Sequence, residues 1–274
     1  MLFSHATIIL ALTSLINAAP YTQAEKRTLG WGSSSDHSNA GAFYDWTSRK
    51  SHNWRGRGSA PPAYQQNSAP GQCDLASVSL PQAPKPLPAP SEGMKLYHVA
   101  VGRGTQNYTC DLNNSTAVPL AAGAVASLFN VTCLSANSPT LLTKLPNIAL
   151  DLPVPQSSDP TSPISQDLSG HHYFTDSTTA YFNLDTSLTS YGAGGFKKIN
   201  STAAPDDACA GQNGKGYGAV PWLKLTAKMM SDDCVFQEVY RINTAGGVAP
   251  DTCVGQKAEF EIEYSAEYWF YEPS

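Results

Sequence analysis

Between Ala258 and Phe270 the chain alternates almost without a break. Even positions carry Ala258, Phe260, Ile262, Tyr264, Ala266, Tyr268 and Phe270; the odd positions between them carry Glu259, Glu261, Glu263, Ser265, Glu267 and Trp269. A period of two belongs to a strand, whereas a helix would scatter those glutamates around its circumference. The pattern predicts one long strand, or two with a bend near Ser265, with the even face buried and the acidic face in water. Shorter runs of the same character predict strands at Leu96–Val101, Thr105–Cys110, Val125–Cys133, His172–Phe174, Ala219–Leu225 and Val235–Ile242. Gly102-Arg103-Gly104 is expected to turn the first of these into the second. Only Ala121–Phe129 and Ala219–Met230 could host short helices. Long amphipathic helices are missing, and 21 Gly and 20 Pro punctuate the runs. The expected fold is therefore all-β: a single sandwich or barrel-like domain of mainly antiparallel strands, not a doubly wound α/β sheet.

The pattern stops short of the N-terminus. Residues 1–19 read as a signal peptide, with Met1–His5 ahead of an apolar Ala6–Ile16 too short to span a bilayer and small residues before Pro20. Lys26-Arg27 then reads as a dibasic processing site, ending a short propeptide at 20–27. Residues 28–72 are Gly/Ser-rich and net +2, with no sustained hydrophobic period, which predicts a disordered basic arm. Its Trp31, Trp46 and Trp54 are either a sugar- or surface-binding feature or incidental aromatics. Residues 73–274 form the expected β domain, led in by Pro81, Pro84, Pro86, Pro88 and Pro90, which force extended chain across 81–90. No later segment is apolar enough to cross a membrane, and the C-terminal residues lack a GPI-type tail.

Charge and cysteine usage narrow the function classes. Residues 73–274 carry 11 basic and 19 acidic residues, a balance that argues against a nucleic-acid partner. The six cysteines, Cys73, Cys110, Cys133, Cys209, Cys234 and Cys253, show no zinc-type spacing, so three disulfides in an oxidising compartment are expected. Asn107, Asn113, Asn114, Asn130 and Asn200 head glycosylation sequons, of which Asn113 and Asn114 overlap. Among the fifteen pairings of six cysteines, Cys110–Cys133 closes a local loop.

Five segments carry a recognisable pattern: Leu96–Cys110, Gly170–Asp176, Val220–Leu225, Val239–Pro250 with its R-x-N-T-x-G-G-x-A-P stretch, and the aromatic Tyr264–Tyr271. Over roughly residues 90–274 the chain resembles the domain-of-unknown-function family numbered 3455, found in secreted fungal proteins and in bacteria. The leader, dibasic site and sequons point to a fungal member. The family brings no established catalytic residues. It does make Cys110–Cys253 a rival pairing, since both cysteines lie in its best-matched segments. Some relatives carry the label malate dehydrogenase. A dinucleotide fold needs a Gly-rich turn between strand and helix, and here Gly102-Arg-Gly104-Thr-Gln-Asn107 has Asn in place of the third Gly and leads into β-like sequence.

Several residues remain as candidate chemistry. In the Gly170–Asp176 stretch, His171 and His172 fall on opposite faces of a strand, so both cannot enter one pocket. One of them, with His98 or Asp176, could ligate a metal or act as a general base; a structural hydrogen bond from a buried His172 is the preferred reading. Arg241 shares a face with Val235, Gln237 and Val239, where an internal salt bridge is expected and anion binding is the alternative. Glu259, Glu261, Glu263 and Glu267 lie ~7 Å apart along one face, a glycosidase-like set better explained as a solvated edge. Trp222, Trp269 and Tyr271 are candidate sugar-stacking rings, Trp269 and Tyr271 projecting from the non-core face. No metal and no cofactor is implied. The reading is a secreted, non-enzymatic, cell-wall- or surface-associated protein with a carbohydrate-binding role and polysaccharide as partner. The alternative is a metal-dependent or acid/base hydrolase built on His171, His172 and Asp176.

Overall fold

The computed structural model describes residues 73–114, 116–154 and 166–274. The expected signal peptide, the Lys26-Arg27 site and the basic arm lie outside the described residues. The strands are β1 (Met94–Thr109), β2 (Leu120–Asn130), β3 (Leu168–Asp176), β4 (Thr179–Asp185), β5 (Ser190–Thr202), β6 (Trp222–Met230), β7 (Glu238–Gly246) and β8 (Glu259–Pro273). Each pairs antiparallel with the next, and β8 returns to β1 over the length of both, closing a barrel. Closure removes the sheet edges that an open all-β fold would have to protect. Three short helices, α1 (Thr132–Asn137), α2 (Pro139–Leu142) and α3 (Leu145–Asp151), lie in the described part of the connection from β2 to β3.

The Gly102-Arg103-Gly104 turn is not there. β1 runs through it as one 16-residue strand. The glycines serve the interior: a Cβ on Gly102 would sit 2.5 Å from the Tyr268 ring, and one on Gly104 would collide with the Val125 carbonyl. Both stretches offered as helices are strands, β2 and β6, while the helices occupy 132–151, where no sequence period announced them. β4 and β5 were not anticipated. β4 alternates Ala180, Phe182 and Leu184 inward in only seven residues, and β5 is interrupted by Gly192, Gly194 and Gly195.

Apolar side chains form two layers. Inside the barrel lie Ala100, Ala126, Leu128, Phe182, Phe196, Phe236, Val239, Tyr264, Tyr268 and Phe270. Outside it, Val99, Val101, Trp222, Tyr240, Ile242, Trp269 and Tyr271 are roofed by Leu142 and by Ala83 and Leu87 of the Pro-rich lead-in. That lead-in cannot join a ladder through its prolines, so its carbonyls need side-chain donors. Thr202 Oγ1 donates to Lys85 O (2.8 Å), Tyr240 Oη to Pro88 O (2.9 Å) and Lys224 Nζ to Ala89 O (2.8 Å). Lys224 also pairs with buried Glu238 at 3.2 Å, and Glu238 accepts from the Ser91 backbone and hydroxyl.

This roof corrects the reading of β8. Glu259 and Glu261 are exposed, as the alternation implied, but from Tyr264 to Tyr271 both faces are buried. Cysteine pairing differs as well. Cys73–Cys133 and Cys110–Cys253 are disulfides; Cys110–Cys133 does not form, and Cys209 and Cys234 are free thiols. Burial raises the Cys234 thiol to about 11, which keeps it protonated and unreactive.

Candidate functional site

The candidate site is built from inward-facing positions at the end of the barrel where β1 and β7 finish. Arg241 stands on β7 opposite Leu223 of β6 and Tyr268 of β8. Its Nη2 donates to Pro221 O (3.0 Å) and its Nη1 reaches Gln106 Oε1 of β1 at 3.5 Å. Arg241 Nε and Gln106 Nε2 are buried and make no hydrogen bond of good geometry, with the Tyr268 and Tyr264 hydroxyls beside the two side chains. Arg241 is 9% exposed and Gln106 8%. Beside them the hydroxyls of Tyr264 and Tyr268 bond to each other at 2.8 Å. Burial pushes both phenols above their ordinary value, against the opposing pull of the Arg241 charge. Tyr108 Oη donates to Gly247 O (2.7 Å) across this end of the barrel.

The expected internal salt bridge of Arg241 is absent among the described residues. Ion pairs among the described residues join Lys95 to Glu272, Arg103 to Glu263, Lys224 to Glu238 and Lys228 to Asp176. The inward positions around Arg241 are aromatic, aliphatic or amide, and the two buried glutamates lie in the outer layer. Glu267 accepts from Asn243 Nδ2 (2.7 Å) and Trp269 Nε1 (2.8 Å), and burial raises its carboxyl.

The histidine candidates separate. His172 is 3% exposed and stacks on Phe182 at 4.4 Å, with its Nδ1 donating to Tyr181 O (3.0 Å). Burial lowers it to about 4, with the Arg241 charge adding to the effect. His98 is 1% exposed, lies 3.0 Å from Thr132 Oγ1 and 3.1 Å from Ser169 Oγ, and is also lowered to about 4 by burial. His171 occupies the opposite face of β3 from His172 and is half-buried. Asp176 sits exposed at the β3–β4 turn, where the Thr179 and Thr178 hydroxyls hold its carboxyl well below the usual range. No cluster of three His, Cys, Asp or Glu side chains able to hold a metal occurs among the described residues. The glutamate row is split too: Glu263 pairs with Arg103, and Glu267 is sealed beneath the helices.

The aromatic candidates are also displaced. Trp222, Trp269 and Tyr271 are 4%, 2% and 5% exposed beneath the outer roof, so none offers a stacking face. A different pair does. Tyr173 of β3 and Tyr181 of β4 are cross-strand neighbours, ring centroids 5.2 Å apart and planes 34° apart, half-exposed on the outer wall beside His171 and Asn183.

A family model described as "Protein of unknown function (DUF3455)" matches residues 90–272. The chain belongs to this family. No curated protein and no solved structure matches it. In this DUF3455 barrel the R-x-N-T-x-G-G-x-A-P stretch shapes the candidate site. Arg241 enters the interior. Asn243, at φ +46, ties β7 to Thr143 O and Glu267, and Thr244 Oγ1 donates to Val220 O. Gly246 and Gly247 take positive φ at a strand end, where a Cβ on Gly247 would lie within 3.0 Å of Tyr264, Gln106 and Val220. Gly102, Arg103 and Gly104 lie mid-strand with no helix after them, so no phosphate-cradling turn exists there. Arg103 is structural, its guanidinium donating to the Leu150 and Leu152 carbonyls at the end of α3. Sequence reading missed Gln106, Tyr264 and Tyr268 as site residues. Reading β1 as one strand would have placed Gln106 on the same inward parity as Ala100 and Gly102.

Proposed function

We propose that this DUF3455 chain is a secreted, glycosylated protein of the fungal cell wall or surface, a non-enzymatic module whose partner is wall polysaccharide. Several features support export: the leader-like start, the dibasic pair, and two disulfides of which one closes 143 residues of chain. The Asn113, Asn114, Asn130 and Asn200 side chains are exposed and open to glycosylation, and Asn107 is half-buried. No helix among the described residues is long and apolar enough to cross a membrane.

The observation that carries the polysaccharide reading is the Tyr173–Tyr181 pair. Two tilted rings on a wall left bare by the helices and the Pro-rich lead-in, with imidazole and amide groups alongside, offer apolar faces and polar rims to sugar rings. They replace Trp269 and Tyr271 in that role. The test is depletion of the purified protein from solution by insoluble chitin and β-glucan. The protein is expected on at least one polymer, with retention falling about tenfold, or ~1.4 kcal/mol, in the Tyr173→Ala/Tyr181→Ala variant. If neither polymer retains it, or the double variant is retained equally, the reading is wrong.

A further inference from the structure

Every other buried cation among the described residues has an acceptor for its charge. Arg103 has Glu263 and four carbonyls, and Lys224 has Glu238 and Ala89 O. Arg241 has one carbonyl, one long amide contact and the neutral Tyr268 hydroxyl beside it, and no carboxylate among the described residues. A buried charge without a counter-charge is costly, and an N–H left without an acceptor adds to that cost. The neighbouring phenols do not supply the missing negative charge, because burial keeps Tyr264 and Tyr268 protonated. Arg241 Nε and Gln106 Nε2, neither of which makes a hydrogen bond of good geometry, therefore lie beside uncharged phenols and one uncompensated guanidinium inside the barrel. Two planar acceptors with one negative charge are what complete such a set, and a carboxylate provides both. The adjoining walls are small and apolar: Ala124 opposite Gln106, Ala126 opposite Gly104, and Val220 against Gly247.

The geometry points to a binding site for a small organic carboxylate at this end of the barrel. Its oxygens would be taken by Arg241 Nε and Gln106 Nε2, and its carbon body would lie against Ala124, Ala126 and Val220. This site is independent of the outer Tyr173–Tyr181 face, and either can fail without the other.

The experiment is thermal unfolding of the full chain in sodium acetate and sodium benzoate, with chloride and phosphate at matched ionic strength. At a hundredfold excess over Kd, at least one carboxylate should raise Tm by about 5–10 °C. Chloride and phosphate should give no comparable rise. Arg241→Met and Gln106→Leu should each abolish the shift, and Tyr173→Ala should keep it. Gln106→Leu decides the matter alone should the arginine variant fail to fold. No shift with either carboxylate, an equal shift with phosphate, or a shift surviving in Gln106→Leu overturns the assignment.

Discussion

Where β7 begins and β8 ends, the barrel interior is closed by Phe182, Phe196, Phe236 and Phe270, with ring centroids 5.1–5.7 Å apart in stacked and edge-on pairs. Toward the opposite end β1, β7 and β8 present Gln106, Arg241, Tyr264 and Tyr268, with two donors lacking a well-formed hydrogen bond. The phenyl end needs nothing but exclusion of water, and each aromatic pair adds about 0.5–1.5 kcal/mol to burial. The polar end must satisfy hydrogen bonds and a charge. It is also the end that is covalently stapled, by Cys110–Cys253, while the phenyl end holds the reduced Cys234. The contrast separates a part of the molecule optimised for stability from a part that gives stability up, the usual mark of a site.

Removing the staple should show the largest effect. Closing 143 residues, Cys110–Cys253 contributes about 5 kcal/mol on loop-entropy grounds, so Cys110→Ala/Cys253→Ala should lower the urea midpoint accordingly. Cys234→Ala should cost far less. Equal losses would erase the contrast between the ends. Phe182→Ala is next, at about 3–5 kcal/mol by denaturant unfolding, because the ring is fully buried and touches four aromatic neighbours.

Acid should then act through the two buried histidines. His98 and His172 have folded values near 4 against an ordinary 6.5, so above pH 6.5 both folded and unfolded chains leave them neutral. As pH falls from 6.5 toward 4 the unfolded chain takes up protons that the folded one refuses. Each histidine then removes about 1.4 kcal/mol of stability per pH unit. Urea midpoints should hold above pH 6.5 and fall toward that slope between pH 6.5 and 5; a flat profile would mean that the barrel admits the charge. The smallest effect is expected at Arg241. With no carboxylate stranded by its loss, Arg241→Met should leave unfolding within about 1 kcal/mol of the parent, or raise it. A loss of several kcal/mol would show that the arginine is a structural tie.

The alternation of β8 and the scarcity of helical periods made the all-β class legible, and family segments kept Cys110–Cys253 open as a rival to Cys110–Cys133. What misled was the double use of certain residues. Gly102 and Gly104 signal a turn locally, yet here they clear space for Tyr268 and for the β2 backbone. Trp269 and Tyr271 sit on the parity that should be wet. A period-two pattern reports which residues share a face and says nothing of what covers that face, and here remote residues 83, 87 and 142 do so. The paired tyrosines of the outer wall needed the β3–β4 register, which depends on a strand too short to stand out. Arg241 was visible as a charge on an apolar face; the absence of its expected partner is a property of seven other strands.

The pairing of β1 with β8 also sets a timetable. The first strand of the barrel to leave the ribosome cannot complete its ladder until the last one follows, about 165 residues later. At ~5–20 residues per second that is a delay on the order of ten to thirty seconds. Throughout it, β1 offers one open edge 16 residues long, able to take up any strand that passes. The nascent chain therefore depends on whatever shields that edge until β8 arrives, and truncation within β8 should produce aggregation, not a smaller folded barrel.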